Sequence, residues 1–107
     1  LYIGIDLAHQ QKIAADADGK IKKIASRTYD LSFPHPGWSE QNPADWYEQS
    51  IDGLKELLAE CDKSRVAGIS FGGQMHGLVT LDERDEVIRP AILWNDGRTG
   101  EETEYLN

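Results

Sequence analysis

A single cysteine, Cys61, stands among the 107 residues. No disulfide can form within the chain, and the sequence suits a reducing compartment. Apolar runs are short: none approaches the roughly 20 residues that span a bilayer. The N-terminus lacks a basic stretch leading into an apolar one, so no signal peptide is expected. Basic residues are scarce, with Lys+Arg 11 against Asp+Glu 19 and a formal net charge of −8. The imbalance is steepest from Asp82 onward, where only Arg84, Arg89 and Arg98 oppose the acids. Such a field repels a phosphate backbone, so nucleic acid is not an expected partner, and neither is a membrane. Internal repeats and low-complexity segments are also missing. With 39% hydrophobic and 28% charged residues, the chain reads as a soluble cytoplasmic protein. Its length allows one small domain, burying roughly two thirds of its unfolded surface, or part of a larger one.

Strand-forming residues open the chain from Tyr2 to Leu7. The stretch from Ala8 to Ala17 holds a polar loop and a weak strand around Ile13-Ala14-Ala15. Asp18-Gly19 marks a hairpin turn, and Lys20 to Thr28 supplies the returning arm with Ile21 and Ile24 as its apolar anchors. Residues 30–42 read as loop, punctuated by Pro34, Pro36 and Gly37 and carrying Phe33, His35 and Trp38. Trp38 is either a lid packed on the core or a substrate-facing aromatic. A helix is expected from Asn42 as cap, with Pro43 at the first position and Asp45 at capping-box spacing. Its apolar stripe runs from Trp46 and Tyr47 through Ile51, Leu54, Leu57 and Leu58 to Cys61, which reads as a buried small residue rather than a nucleophile. Strands are expected over 65–71 and 78–81, with an irregular strand over 87–94 interrupted by Pro90. A charged turn over 82–86 separates the last two, and a final helix starts at Thr99 and stops after about two turns, as in a truncated chain. A hairpin, helices and further strands in this order predict a mixed α/β layer rather than a purely parallel sheet.

Three places could carry chemistry. Asp6 falls near the end of the first strand, where a carboxylate either holds a hydrated magnesium ion or is an ordinary strand-end acid. In the segment Gly72-Gly73-Gln74-Met75-His76-Gly77, the glycines let backbone approach a ligand, and Gln74 and His76 supply polar groups. The competing reading is a glycine-rich turn with a core methionine. His76 lacks the companions of a zinc site, and the spacing does not match a dinucleotide fingerprint. In Trp94-Asn95-Asp96-Gly97-Arg98, Asn95 offers a donor and an acceptor, and Trp94 an apolar face for stacking. Asp96 and Arg98 either bind polyol hydroxyls or pair with each other. His9 and His35 are ambiguous, and solvated positions are the simpler reading.

Four segments together resemble the start of a carbohydrate kinase of the FGGY family, in its xylulokinase branch: Tyr2-Ile3-Gly4-Ile5-Asp6-Leu7, Pro34-His35-Pro36-Gly37-Trp38-Ser39-Glu40-Gln41, Gly73-Gln74-Met75-His76-Gly77 and Ile92-Leu93-Trp94-Asn95-Asp96-Gly97-Arg98. The resemblance implies a ribonuclease H-like, actin-like ATPase fold. Residues 1–107 would be the N-terminal part of the first kinase domain, with the second, ATP-binding domain outside this chain. It also implies transfer of the terminal phosphate of ATP to the 5-hydroxyl of D-xylulose or a related ketose, with Mg2+ as cofactor. By the same resemblance Asp6 lies near metal and phosphates, and Lys12 joins it on the nucleotide side. Gln74, Met75, His76, Asn95, Asp96, Arg98 and Trp38 surround the sugar. None of these residues matches the family's general base, so the chain alone is expected to be inactive. For the full-length enzyme the resemblance leaves a homodimer open. Related readings are another pentulose or polyol kinase of the family, or a non-catalytic sugar-binding fragment. One departure stands out: where the family has Gly-Thr-Ser or Gly-Thr-Thr after the first strand, this chain reads Ala8-His9-Gln10-Gln11-Lys12, with a shortened arm before Gly19. Bulky side chains there are expected to obstruct the phosphates. Incomplete packing partners are expected to leave apolar surface exposed.

Overall fold

The computed structural model describes all residues, Leu1–Asn107. They form two units: residues 1–29 with 44–74, and residues 30–43 with 75–107.

The first unit is a four-stranded sheet, in spatial order Ile21–Ser26, Gln11–Ala15, Tyr2–Asp6 and Gly68–Gly72, with the helix Pro43–Leu58. Strands β1 (Tyr2–Asp6), β2 (Gln11–Ala15) and β3 (Ile21–Ser26) are antiparallel neighbours, and β5 (Gly68–Gly72) pairs parallel with β1. The hairpin turn forms as expected, and the side chain that closes it is Asp16. Its Oδ1 accepts from the backbone N–H of Asp18 at 3.1 Å and of Lys20 at 2.9 Å, while Gly19 takes φ 79°. The register shifts at Ala14/Ala15, so that Ile21 pairs with Ala15 but Ile24 with Ile13. This bulge explains the three-residue spacing of Ile21 and Ile24, because one extra residue brings both to the same face. That face is not the core. Ile21 and Ile24 are exposed, whereas Ile3, Ile5, Ala14 and Ala25 are buried with Leu57 of the helix, flanked by Leu7, Leu54, Leu58 and Val66.

Helix α1 (Pro43–Leu58) starts at the proline, where a missing N–H is harmless. It presents Gly53 and Leu57 as its buried residues, while Tyr47 of the expected stripe faces solvent. Arg27 fastens the end of β3 to the helix through Asp52 and Glu56, both at 2.7 Å. A short 3-10 turn, Lys63–Arg65, follows. Asp62 caps it by accepting from the N–H and hydroxyl of Ser64, so β5 starts three residues later than the pattern suggested.

The second unit is held by a small antiparallel pair, β4 (Glu40–Gln41) with β6 (Ala91–Ile92). The two strands expected over 78–81 and 87–94 survive mainly as isolated bridges, Leu81↔Val87 and Leu78↔Ile92. Pro90 lacks the N–H that a continuous ladder requires. At the tip, Asp82 repeats the chemistry of the first hairpin, accepting from the N–H of Arg84 and of Glu86, and Asp85 takes φ 62°. Helix α2 (Gly100–Leu106) is exposed. Thr99 makes no side-chain cap bond to it, contrary to the capping-box spacing.

Candidate functional site

Pairing of Leu78 with Ile92 is antiparallel, with hydrogen bonds of 2.8 and 3.1 Å in the two directions. Residues preceding Leu78 and residues following Ile92 therefore leave the same end of that pairing. Met75, His76 and Gly77 run in on one side, and Leu93, Trp94 and Asn95 run out on the other. A Cβ at Gly77 would stand 3.8 Å from the carbonyl of Ile92. Met75 and Trp94 are largely exposed, and His76 adopts φ 64°, a backbone region uncommon outside glycine. Gln74 closes the first unit immediately before this segment.

A cavity of about 440 Å3 opens in the same unit, lined by residues 33–39 and Asn95. That volume falls in the range of small-molecule sites. Of the residues expected beside the sugar, Trp38 and Asn95 line it, and Met75 and His76 do not. Gly37, at φ 78°, turns the backbone and accepts from the N–H of Gly97 at 2.8 Å. His35 meets the Trp38 ring edge-on, centroids 4.6 Å apart.

Asp96 and Arg98 are not part of the cavity's lining. The Asp96 side chain is 1% exposed, that of Arg98 8% and that of Glu40 9%. Asp96 Oδ1 accepts from the Arg98 backbone N–H at 2.9 Å and its Nε at 2.8 Å. Its Oδ2 accepts from Arg98 Nη2 and from the Ser39 N–H, both at 2.6 Å. Arg98 Nη1 reaches Glu40 Oε1 at 2.7 Å, and Arg89 meets that same oxygen at 2.9 Å. The face of the guanidinium stacks on Trp38 at 3.7 Å. Arg98 holds the carboxyl of Asp96 far below the usual carboxylate range, with the Ser39 N–H adding to the effect against the opposing desolvation. Glu40 is lowered too, chiefly by Arg98 and then by Arg89. Nothing in the sequence pattern singled out Glu40; the usable signal was its place two residues after Trp38.

Asp6 ends β1. Its Oδ1 accepts from the N–H of Ala8 at 3.0 Å and of His9 at 3.1 Å, and its Oδ2 meets His9 Nδ1 at 2.7 Å. These contacts, the backbone bond from His9 first, hold the Asp6 carboxyl below its ordinary value. A divalent cation carried with nucleotide phosphates needs ionised oxygen ligands. Asp6 is ionised and 36% exposed, but no set of three or more His, Cys, Asp or Glu converges in the chain. The residues therefore fit one carboxylate contact to a hydrated ion, not a protein cage.

Lys12, placed by resemblance on the nucleotide side, is instead in the core. It faces the same side of the sheet as Ala14, is 0% exposed, and donates from Nζ to the Tyr29 hydroxyl at 2.8 Å with the ammonium 5.2 Å from that ring. A lysine held this way has no route to a phosphate.

The chain matches the family model described as the FGGY family of carbohydrate kinases, N-terminal domain, over residues 1–107. It is 41% identical to a xylulose kinase of Staphylococcus xylosus over 106 residues, covering 97% of this chain and 22% of that protein. To a xylulose kinase of Bacillus subtilis (strain 168) it is 46% identical over 101 residues, 91% of this chain and 20% of that protein. Among solved structures, the xylulose kinase from Rhodospirillum rubrum superposes with a TM-score of 0.90 at 37% identity, covering 97% of this chain and 22% of that one. The chain thus spans about a fifth of the length of the relatives it matches. No helix is long and apolar enough to cross a membrane.

Proposed function

The chain belongs to the FGGY family of carbohydrate kinases, within their N-terminal domain, and from that premise we propose that it forms the sugar-facing part of an ATP-dependent xylulose kinase. Its mixed α/β fold is that of the N-terminal portion of actin-like ATPases. The proposed reaction moves the γ-phosphoryl group of ATP to the 5-hydroxyl of D-xylulose. One observation carries the sugar assignment: the 75–77 and 93–95 segments leave one end of the Leu78–Ile92 pairing, so two polar loops can address a single ligand.

Phosphoryl transfer depends mainly on positioning and on neutralising charge. In this reading Asn95, His76 and Gln74 exchange hydrogen bonds with sugar hydroxyls, while Met75 and Trp38 cover apolar faces of the ketose. Asp96 and Arg98 are buried beside that rim, bonded to one another and to Ser39, with Glu40 as the ion-pair partner of Arg98. Asp6 would be the carboxylate contact to hydrated Mg2+, which would supply charge neutralisation at the phosphates. No residue of this chain is assigned as the general base. A cytoplasmic location accords with this activity.

A second reading, sugar binding without phosphoryl transfer, is favoured by the closure of His9 on Asp6. A coupled assay of the full-length protein with D-xylulose, L-ribulose and glycerol, alongside an ATP-binding titration, decides between them. The kinase reading expects ATP-dependent turnover with D-xylulose preferred. Binding of D-xylulose with neither turnover nor ATP binding would select the second reading, and preference for another substrate would move the protein to a different branch of the family.

A further inference from the structure

We propose that Glu40 is a positioning residue for sugar recognition, acting through Arg98 on Trp38 and, with Asp96, on Asn95. The proposal rests on the sugar-kinase reading above but is testable apart from it. A guanidinium offers five donors in one plane. Here Asp96 takes Nε and Nη2 in a forked pair, and Glu40 Oε1 stands 2.7 Å from Nη1 as an ion pair. The Asp96 fork sets that plane, Glu40 supplies the counter-charge at the other edge, where Nη1 is buried without a hydrogen-bond acceptor, and the Trp38 ring lies against the guanidinium face at 3.7 Å. Glu40 therefore helps to hold an aromatic that lines the cavity, although it does not line the cavity itself.

The same cluster locks the backbone on both sides. Asp96 Oδ2 takes the N–H of Ser39, Ser39 returns its carbonyl to the N–H of Leu93 at 3.0 Å, and Gly37 takes the N–H of Gly97. Trp38 and Asn95 are thus each flanked by residues tied to the opposite loop. Charges balance within the cluster, Arg98 and Arg89 against Asp96 and Glu40. Removing the Glu40 charge leaves Arg98 with a single buried counter-ion and its Nη1 edge with neither a hydrogen-bond acceptor nor its near ion-pair partner, so the buried cation, and with it the contact to the stacked ring, is held less firmly.

The test uses the full-length protein with Glu40→Gln and Glu40→Ala. Subtracting the near-UV circular dichroism of Trp38→Phe from that of the parent isolates the Trp38 band. Both Glu40 variants are expected to lose most of that band. KM for D-xylulose is expected to rise about tenfold, more than kcat falls, while KM for ATP stays within about twofold. Retention of both the band and the sugar KM, with only a lower thermal midpoint, would overturn the proposal. If the parent does not phosphorylate D-xylulose, the kinase reading fails by itself, and the Trp38 band still decides the role of Glu40. Should Glu40→Ala not fold, the isosteric Glu40→Gln carries the same two outcomes.

Discussion

Asp96 and Lys12 are both withdrawn from water, yet they solve the problem of burial differently. Asp96 meets a guanidinium in a forked pair and two backbone N–H groups. Lys12 has only a phenol hydroxyl, with its ammonium beyond that end of the ring. Neither environment was legible in the sequence, because a charged residue in a polar loop and one in a strand carry no mark of which partner the fold brings to them. The depressed carboxylates have a consequence for stability. A group whose folded pKa lies below its unfolded value stabilises the fold above the unfolded pKa, and that contribution is lost as pH falls through the folded one. Asp96 and Glu40 are both lowered, so their contribution is complete above about pH 5, where unfolded carboxylates are ionised. A thermal-melt series of the full-length protein should show a midpoint falling as pH drops below about 4. Glu40→Gln should flatten that fall. An unchanged slope in the variant would mean that the cluster does not hold these carboxylates ionised.

Elements were legible where local chemistry specifies them. Asp18-Gly19 announced the first hairpin, and Pro43 the start of α1, because turn dihedrals and a missing N–H are properties of the residues themselves. Which face of β3 meets the core was not legible, since the bulge at Ala14/Ala15 inverts the alternation from that point. The strand over 78–81 was over-read, since it makes only single bridges, and of the irregular strand over 87–94 just Ala91–Ile92 forms a ladder. Helix α1 also hides a constraint at Gly53. A glycine inside a helix is ordinarily less stable than alanine by about 0.5–1 kcal/mol, so substitution should help. Here an added Cβ would stand 2.9 Å from Lys12 Cδ and 3.3 Å from its Cγ, and Lys12 is buried with its head fixed on Tyr29. Gly53→Ala should therefore destabilise by about 1–3 kcal/mol, the range for overpacking a core. In chemical denaturation, combining it with Lys12→Ala should remove that penalty as a coupled pair. Additive losses would show that the two do not touch.

At the scale of the whole molecule, family membership was legible from four short segments in order, more specific together than any element assignment. The fold agrees with that membership in its first hairpin and in the parallel pairing of β1 with β5. The expectation of exposed apolar surface is also met, with Phe71 72% exposed at the edge strand β5 and Leu106 81% exposed on α2. The site was only partly readable. Pairing of Asp96 with Arg98 was one of two alternatives, Glu40 was unmarked, and Lys12 was placed with the phosphates by analogy. What the sequence did convey is two polar loops, at His76 and at Asn95; that they leave one end of the Leu78–Ile92 pairing is seen only in the fold.

Measuring KM for D-xylulose and for ATP in the full-length protein with His76→Ala and Asn95→Ala tests most directly whether those loops serve one sugar. Each variant should raise the sugar KM by about tenfold, the loss of a hydrogen bond of roughly 1.4 kcal/mol, and leave the ATP KM unchanged. Sugar KM values equal to the parent's in both variants would contradict the account.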